Sequence, residues 1–463
     1  MLKELRIENF KGWEDTTTIR MSPITLFFGA NSSGKSSIGQ FLMLLKQTVE
    51  SQDRKSVLFP GTVNSAVQLG SFQEMVYGRD KTKEISFRYR WSLPEALGIT
   101  DPITDEKFRA EEIDFEATVG VANEKEHSVS VGSFRYGLFE KENESMAVKM
   151  ARRDSSKKKA EFKVESEDYN LVRQPGRVWN PGPPVRFYGF PEEVVAYHQN
   201  ADFVQKLNLA QEKLFRSLSY LGPMRTKTTR LYTWSGIEPD SVGYGGENSV
   251  PAMLAAKERK ISMGFSQRYL PFEQVIAQKL KDMGLIEKFE VKPISDNRQN
   301  YEVKVKTKGS VGYVDLPDVG FGISQVLPVL IQCFYAPHNS IILMEQPEIH
   351  LHPSAQSLLA DVVIDAINAK EDGRDRNIQL IIETHSEHFL RRLQRRLAEK
   401  VIEKSQLSAY FADVSKQPAQ LAELRVDEFG NISNWPENFF GDEMGDITEQ
   451  SKAALRRRME ESE

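Results

Sequence analysis

Cysteine is nearly absent from the sequence, since Cys333 is the only one in 463 residues. A single thiol excludes an internal disulfide and also excludes zinc or iron–sulfur sites built from several cysteines. Long hydrophobic runs are missing too: the nearly apolar run of residues 326–336 includes a glutamine and is too short to cross a bilayer. The first residues lack the apolar stretch of a secretory signal. We therefore expect a cytoplasmic protein that makes no membrane contact.

An excess of positive charge is also missing. Lys and Arg total 61 against 66 Asp and Glu, which gives a formal net charge of −5. Proteins that bind nucleic acid over their whole surface are usually basic, so DNA contact would have to come from a local basic patch. An ordinary solvated surface is the alternative interpretation of such charge runs. The candidate patches are residues 157–159, Arg391, Arg392, Arg395, Arg396 and residues 456–458.

A glycine-rich segment, GANSSGKSS at residues 29–37, follows the apolar run of residues 23–28 and precedes a stretch with helical periodicity. The spacing Gly-x4-Gly-Lys-Ser between a buried strand and a helix is the P-loop (Walker A) signature. Its backbone N–H groups and helix dipole favour phosphate. Lys35 would neutralise the β- and γ-phosphates of ATP, and the Ser36 hydroxyl would bind Mg²⁺. The predicted nucleotide-binding residues here are Gly29, Ala30, Asn31, Ser33, Gly34, Lys35, Ser36 and Ser37.

A predicted strand that ends in an acidic residue lies far from the P-loop in the sequence. The apolar run of residues 341–344 ends at Glu345, 310 residues after Lys35. P-loop enzymes hold Mg²⁺ with the P-loop hydroxyl and such an acid, so Glu345 is the predicted second metal ligand. The separation is too long for a compact GTPase-like domain. It predicts an α/β ATPase core that is split by an insertion.

The segments between the motifs predict how the insertion is built. Alternation of apolar and polar residues indicates antiparallel strands before residue 190, and helical spacing dominates after it. The predicted organisation is an N-terminal ATPase lobe (1–50), a β-rich insertion (51–190), a helical insertion (191–300), a C-terminal ATPase lobe (301–405) and a tail of short strands and a helix (406–463).

These motifs resemble the ABC-type ATPases of the SMC/RecF/OLD group over roughly residues 1–50 and 310–400. Residues 5–12, LRIENFKG, are similar to that group's first strand and adenine-side loop, PEIHLHP at 347–353 to its extended Walker B and D-loop, and THS at 384–386 to its switch histidine. The resemblance implies a split ABC-type head. It also implies that Lys11 lies near the adenine and that Asn31 and His385 lie near the γ-phosphate.

Residues 318–325, DVGFGISQ, resemble the signature motif of the same group. The resemblance implies that this helix start binds the γ-phosphate held by a second copy, in a head-to-tail homodimer around two ATP molecules. The alternative is a plain junction between a loop and a helix that begins at Ile323. The residues assigned to this role are Gly320, Gly322 and Ser324.

The residue after the Walker B acid is usually a glutamate in ABC-type heads, and here it is Gln346. An amide can orient a water molecule but cannot accept its proton at neutral pH. Two alternatives stay open. Either hydrolysis is slow and the ATP-bound state persists, which we favour, or Glu348 acts as the base together with His385. A zinc site is a further alternative, because four of the seven histidines lie in these two loops, at 350, 352, 385 and 388.

Residues 220–225, YLGPMR, and the tail residues 434–443 resemble an uncharacterised prokaryotic subfamily of ATPases that is OLD-like but lacks the nuclease domain. Such families are often found in anti-phage defence operons. The resemblance therefore implies an ATP-driven switch that controls a separately encoded effector, with a nuclease as the first hypothesis. The alternatives are a RecF-like DNA-maintenance ATPase that clamps DNA and a nearly inactive ATP-binding scaffold.

Overall fold

A computed structural model describes residues 1–123, 128–153, 161–176, 180–264, 267–295, 299–436, 439 and 443–460. The lysine run at 157–159 and the tail residues 437–438 and 440–442 lie outside this part. The helices are α1 (Lys35–Glu50), α2 (Phe72–Met75), α3 (Glu192–Tyr197), α4 (Phe203–Arg216), α5 (Ser249–Ala255), α6 (Phe272–Asp282), α7 (Phe321–Tyr335), α8 (Pro353–Asn368), α9 (Glu387–Ala398) and α10 (Glu443–Glu460).

The strands of the first half are β1 (Leu2–Phe10), β2 (Trp13–Asp15), β3 (Ile19–Arg20), β4 (Ile24–Gly29), β5 (Ile85–Thr100), β6 (Lys107–Asn123), β7 (Ser128–Glu140), β8 (Asn143–Arg152), β9 (Phe162–Glu167), β10 (Leu218–Leu221) and β11 (Tyr232–Thr233). Those of the second half are β12 (Lys260–Ser262), β13 (Leu270–Pro271), β14 (Lys288–Pro293), β15 (Asn300–Lys306), β16 (Val314–Asp315), β17 (Ile341–Glu345), β18 (Lys370–Glu371), β19 (Arg374–Asp375), β20 (Gln379–Glu383), β21 (Leu407–Asp413) and β22 (Gln420–Glu423).

The ATPase motifs lie on a six-stranded sheet with the order β10-β17-β20-β4-β21-β22. All neighbours are parallel except the last pair. The middle strands are continuously apolar because both faces are covered: Leu26 and Phe28 of β4 pack into one core, and Phe27 packs into the other. In this sheet β20 separates β4 from β17. Strands more than 300 residues apart therefore build one sheet, and the predicted split α/β fold is confirmed.

A second, eight-stranded antiparallel sheet has the order β2-β1-β5-β6-β7-β8-β9, with β3 paired to β1. It packs aromatic rings against α1, where the Phe41 ring lies 5.2 Å from Phe10 and 5.1 Å from Phe87. Strand β1 therefore shares a sheet with the strands of residues 85–167. This sheet joins the start of the chain to the β-rich region and carries the helix that follows the P-loop.

Strand β10 (Leu218–Leu221) lies inside residues 191–300, for which the sequence predicts a helical insertion. Helix α4 ends at Arg216, and residues 218–221 pair in parallel with Ile341–Met344 of β17. Four residues are too few to show a strand period, so the pairing with β17 decides their conformation. This strand places Tyr220 beside the end of β17.

Two smaller sheets complete the second half of the described chain. Strands β11, β15 and β14 form one, with β16 paired to β15, and β13-β12-β18-β19 form the other. Among the helices of the described residues, none is long and apolar enough to cross a membrane.

Candidate nucleotide-binding site

The P-loop turns between β4 and α1, where two glycines have positive φ. Gly29 has a φ of 145° and Gly34 a φ of 88°, a region that side chains rarely adopt. A Cβ atom at Gly29 would lie 2.8 Å from the Ala412 carbonyl oxygen, and one at Gly34 would lie 3.2 Å from the ring of Trp13. The buried Trp13 indole also donates to the Gly34 carbonyl at 3.0 Å. Trp13 therefore supports the loop, a role that no sequence motif revealed.

The Lys35 ammonium lies against the P-loop backbone. It donates to the carbonyl oxygens of Gly29 at 3.0 Å and Ala30 at 2.7 Å. Burial lowers the pKa of Lys35, and the nearby Glu383 carboxylate opposes this shift. The only positive charge of the P-loop is thus hydrogen-bonded to its own loop, and Lys35 lines the cavity described below.

Glu383, at the end of β20, is a site residue that the sequence analysis missed. The Ser36 hydroxyl, the predicted Mg²⁺ ligand, donates to its Oε1 at 3.0 Å. Its Oε2 is buried and has no hydrogen-bond partner among the described residues, and burial raises its pKa. The signal was present in the sequence, because an apolar run ends in an acid at Glu383 just as it does at Glu345.

Glu345 ends β17 and is the register partner of Glu383. Its Oε1 accepts a hydrogen bond from the Tyr220 hydroxyl at 2.9 Å. Burial, followed by the charge of Glu383, raises the pKa of Glu345 to about 7. Two carboxylates and the Ser36 hydroxyl thus lie at one edge of the sheet, and such oxygen donors fit Mg²⁺. Within the described ranges, no group of three or more His, Cys, Asp or Glu side chains suits a metal ion, so the zinc alternative gains no support.

A cavity of about 300 Å³ opens at this edge of the sheet. It is lined by P-loop residues from Asn31 to Ser37 together with Gln40, Gln346, Glu383 and His385. Gln346 has a φ of 46°, and its backbone N–H donates to the Glu383 carbonyl at 2.8 Å. Positive φ in a glutamine is strained and is typical of functional loops. The predicted residues Gln346 and His385 therefore reach the P-loop in the folded chain.

Glu348 is placed differently from Gln346. Its Oε1 accepts hydrogen bonds from the Thr384 hydroxyl at 2.7 Å and from the His385 backbone N–H at 2.8 Å, and it is absent from the cavity lining. Burial raises the pKa of Glu348. The Glu348 side chain therefore connects the loop after β17 to the loop after β20. Burial, followed by the charge of Lys35, lowers the pKa of His385 and favours its neutral form.

The other predicted contact residues lie around this cavity. The Lys11 ammonium donates to Gln40, which lines the cavity. Helix α7 begins at Phe321 with Gly320 as its N-cap, two residues before the predicted start. Three residues are predicted to contact the nucleotide of a partner: Gly320, Gly322 and Ser324. None of the three lines the cavity of its own chain.

The basic face of α9 is paired with acids. Asp361 of α8 accepts hydrogen bonds from Arg392 and Arg396. Ion pairs with Glu387 and Glu399 hold Arg391 and Arg395. Arg392 and Arg396 therefore join α9 to α8, whereas Arg391 and Arg395 pair with acids at the two ends of α9 itself, so the basic residues of this face are matched by acids.

The amino-acid sequence matches the family model described as "AAA ATPase domain" over residues 1–177 and 253–390. The chain belongs to the AAA ATPase domain family. This membership confirms that the chain carries the predicted ATPase domain. Residues 402–450 of this AAA ATPase domain protein match a second model, "Protein of unknown function (DUF3696)". The predicted uncharacterised tail is thereby confirmed as well.

Among curated proteins, an "ATP/GTP phosphatase" of Helicobacter pylori is 33% identical over 110 residues, which are 24% of this chain and 28% of that protein. The alignment thus spans less than a third of that relative. Among solved structures, the SMC head domain from Thermotoga maritima has a TM-score of 0.40 at 10% identity, covering 92% of this chain and 99% of that one. The Pyrococcus furiosus Smc head domain with an extended coiled coil has a TM-score of 0.40 at 9% identity, with coverages of 91% and 96%.

Proposed function

We propose that this AAA ATPase domain protein binds ATP with Mg²⁺ in the P-loop cavity and hydrolyses it slowly. The observation that supports this best is the composition of one cavity. It is lined by the P-loop lysine and serine, the carboxylate of Glu383, the amide of Gln346 and the imidazole of His385. These are groups that bind phosphate, hold a metal ion and orient water.

Nucleotide binding would exchange internal hydrogen bonds for contacts with the ligand. Lys35 would leave the carbonyl oxygens of Gly29 and Ala30 and donate to phosphate oxygens instead. Mg²⁺ would neutralise charge that develops on the phosphates. The residues that would hold it are Ser36 and Glu345, as the motifs predict, together with Glu383, which already accepts a hydrogen bond from Ser36.

Slow hydrolysis follows from the amide of Gln346, which lines the cavity. The Gln346 carbonyl can accept a hydrogen bond from the attacking water, but it cannot take the proton. Glu348 could take one through its Oε2, which has no hydrogen-bond partner among the described residues, yet this side chain does not line the cavity. We therefore assign water orientation to Gln346, a γ-phosphate contact to the neutral His385, and a positioning role to Glu348.

Nucleotide titration and single-turnover kinetics test this proposal together. We expect the purified chain to bind ATP with Mg²⁺ and to hydrolyse one equivalent over minutes rather than within a second. Lys35→Ala is the matched control, because it removes the phosphate contact and keeps the rest of the cavity. A wild-type chain that does not bind ATP, or that hydrolyses it within a second, contradicts the proposal.

We further propose that the ATP-bound form is a head-to-tail homodimer that controls a separately encoded effector, a nuclease, in prokaryotic anti-phage defence in the cytoplasm. The start of α7 supports the dimer, because it lies outside its own cavity and exposes Phe321, which is 76% accessible. Co-purification with the product of the neighbouring gene tests the effector. Turnover that rises with duplex DNA and falls steeply with salt would favour the DNA-clamp alternative instead.

A further inference from the structure

Arg225 is a half-buried arginine whose guanidinium finds no hydrogen-bond acceptor within the described part of the chain. Its Nε, Nη1 and Nη2 atoms are each buried, and none has a hydrogen-bond partner among the described residues. Arg376 shows the contrast, because its Nη1 and Nη2 donate to the carbonyl oxygens of Cys333 and Ala336. A buried guanidinium without acceptors costs free energy. The position of Arg225 therefore indicates a group that is prepared for an anion from outside the fold.

The backbone around Arg225 is fixed at the edge of the sheet that carries the cavity. Arg225 follows the end of β10 by four residues. On one side the Gly222 N–H donates to the Tyr244 carbonyl at 2.9 Å, and on the other the Thr226 N–H donates to the Gly245 carbonyl at 2.8 Å. Ligands of parallel α/β sheets bind outside the carboxyl ends of the strands. Arg225 thus lies at the binding edge, one strand beyond β17.

The charges that act on Arg225 lie at the carboxyl ends of β10 and β17 and in the loop after β17, beside the P-loop cavity rather than in its lining. The groups that act on it electrostatically are Tyr220, Glu345 and Glu348, while burial lowers its pKa to about 10. The same edge holds Glu383, so three buried carboxylates are opposed by two cations, Lys35 on the P-loop side and Arg225 on the β10 side. A triphosphate adds further negative charge. A second cation on the β10 side would balance that charge, and the planar guanidinium fork matches phosphate oxygens.

We propose that Arg225 binds the terminal phosphate of ATP within the same chain and retains orthophosphate after hydrolysis. This inference rests on the proposed nucleotide site. Lys35 would then bind the β-phosphate, which ATP and ADP share, as well as the γ-phosphate, and Arg225 would add a contact that only the γ-phosphate can make. The chain would distinguish ATP from ADP without any contribution from a second copy.

The test compares the affinities of ATPγS, ADP and inorganic phosphate for Arg225→Gln and wild type, by calorimetry with Mg²⁺ at a protein concentration where the chain is monomeric. We expect Arg225→Gln to lose tenfold or more in ATPγS affinity and to stop binding phosphate, while its ADP affinity stays within about twofold. Arg225→Lys should recover part of the loss. Arg230→Gln is the control, since Arg230 lies on the same segment but is exposed and paired with Asp315 and Asp318.

Thermal unfolding without nucleotide separates this role from a structural one. Because Arg225 has no hydrogen-bond partner among the described residues, Arg225→Gln should unfold at the wild-type temperature or above it. A drop of several degrees would show that Arg225 pairs with Glu345 or Glu348 in the folded protein, and would overturn the inference. Equal losses for ATPγS and ADP, or unchanged affinities, would overturn it too while leaving the nucleotide site intact. A wild-type chain that binds neither nucleotide would overturn both proposals.

Discussion

Two glycine-rich segments of this protein each precede a helix, and they differ in how far their residues are buried by the rest of the chain. At the P-loop, Lys35 is 4% exposed and hydrogen-bonded to its own loop. At the start of α7, Phe321 is 76% exposed, and a Cβ atom added at Gly320 would meet nothing within 4 Å. A helix N-terminus binds an anion well only when other groups converge on it. The P-loop has these groups in its own chain, whereas the start of α7 presents an exposed ring and open space.

The largest expected effect concerns the P-loop, which has its binding groups within one chain. Lys35→Ala should weaken ATP binding by 100-fold or more, about 2.7 kcal/mol, because the P-loop then lacks its only cation. Fluorescent-nucleotide titration measures this loss. Lys83→Ala, which removes an exposed ion pair with Glu14, should leave the affinity unchanged. Wild-type affinity in Lys35→Ala would show that the P-loop is not the nucleotide site.

The second prediction tests whether the start of α7 is completed by a second copy. Gly322→Glu should spare ATP binding by the monomer and abolish the ATP-dependent increase in mass, because its carboxylate would oppose the partner's γ-phosphate. A Cβ atom at Gly322 meets the His350 carbonyl oxygen at 3.4 Å, so the substitution fits the fold.

Light scattering with and without ATP measures this mass. Gly312→Glu is the control, because a Cβ atom at Gly312 meets no neighbour within 4 Å and the position lies outside the signature segment. ATP-dependent dimers of Gly322→Glu would count against the sandwich.

The third prediction concerns the rate of hydrolysis on the P-loop side. Gln346→Glu should raise single-turnover hydrolysis about tenfold, within the range that a positioned general base contributes. Glu348→Gln should slow hydrolysis only modestly, since an amide oxygen can still accept from Thr384 and the His385 N–H. If Glu348→Gln abolishes hydrolysis while Gln346→Glu changes nothing, Glu348 is the base.

The smallest expected effect concerns the support of the P-loop. Trp13→Phe keeps an aromatic ring against Gly34 but removes the N–H donor, which should cost about 1 kcal/mol of stability and a few-fold in ATP affinity. Trp234→Phe removes a similar bond, from Trp234 to the Ile237 carbonyl at 2.9 Å, but far from the P-loop in sequence. Chemical denaturation and nucleotide titration of both variants measure the difference. Equal ATP affinities in the two variants would show that Trp13 only packs.

Local sequence determined the P-loop, the strand that ends at Glu345, the glutamine at position 346 and the split of the ATPase core. The first three are each encoded within about ten consecutive residues, because apolar runs and glycine spacing reflect the backbone of a single segment. The split follows from the 310 residues between Lys35 and Glu345. The same reasoning predicted α7 to within two residues of its observed start.

Only the tertiary structure decided which side chains meet. The contact between Ser36 and Glu383 joins residues 347 apart, and that between Tyr220 and Glu345 joins residues 125 apart. Strand β10 and the surroundings of Arg225 depend in the same way on pairing with β17. A periodic pattern tells which face of a segment is buried, but not which strand lies beside it. The sequence therefore located the P-loop, and the order of strands in the sheet decided which charges surround it.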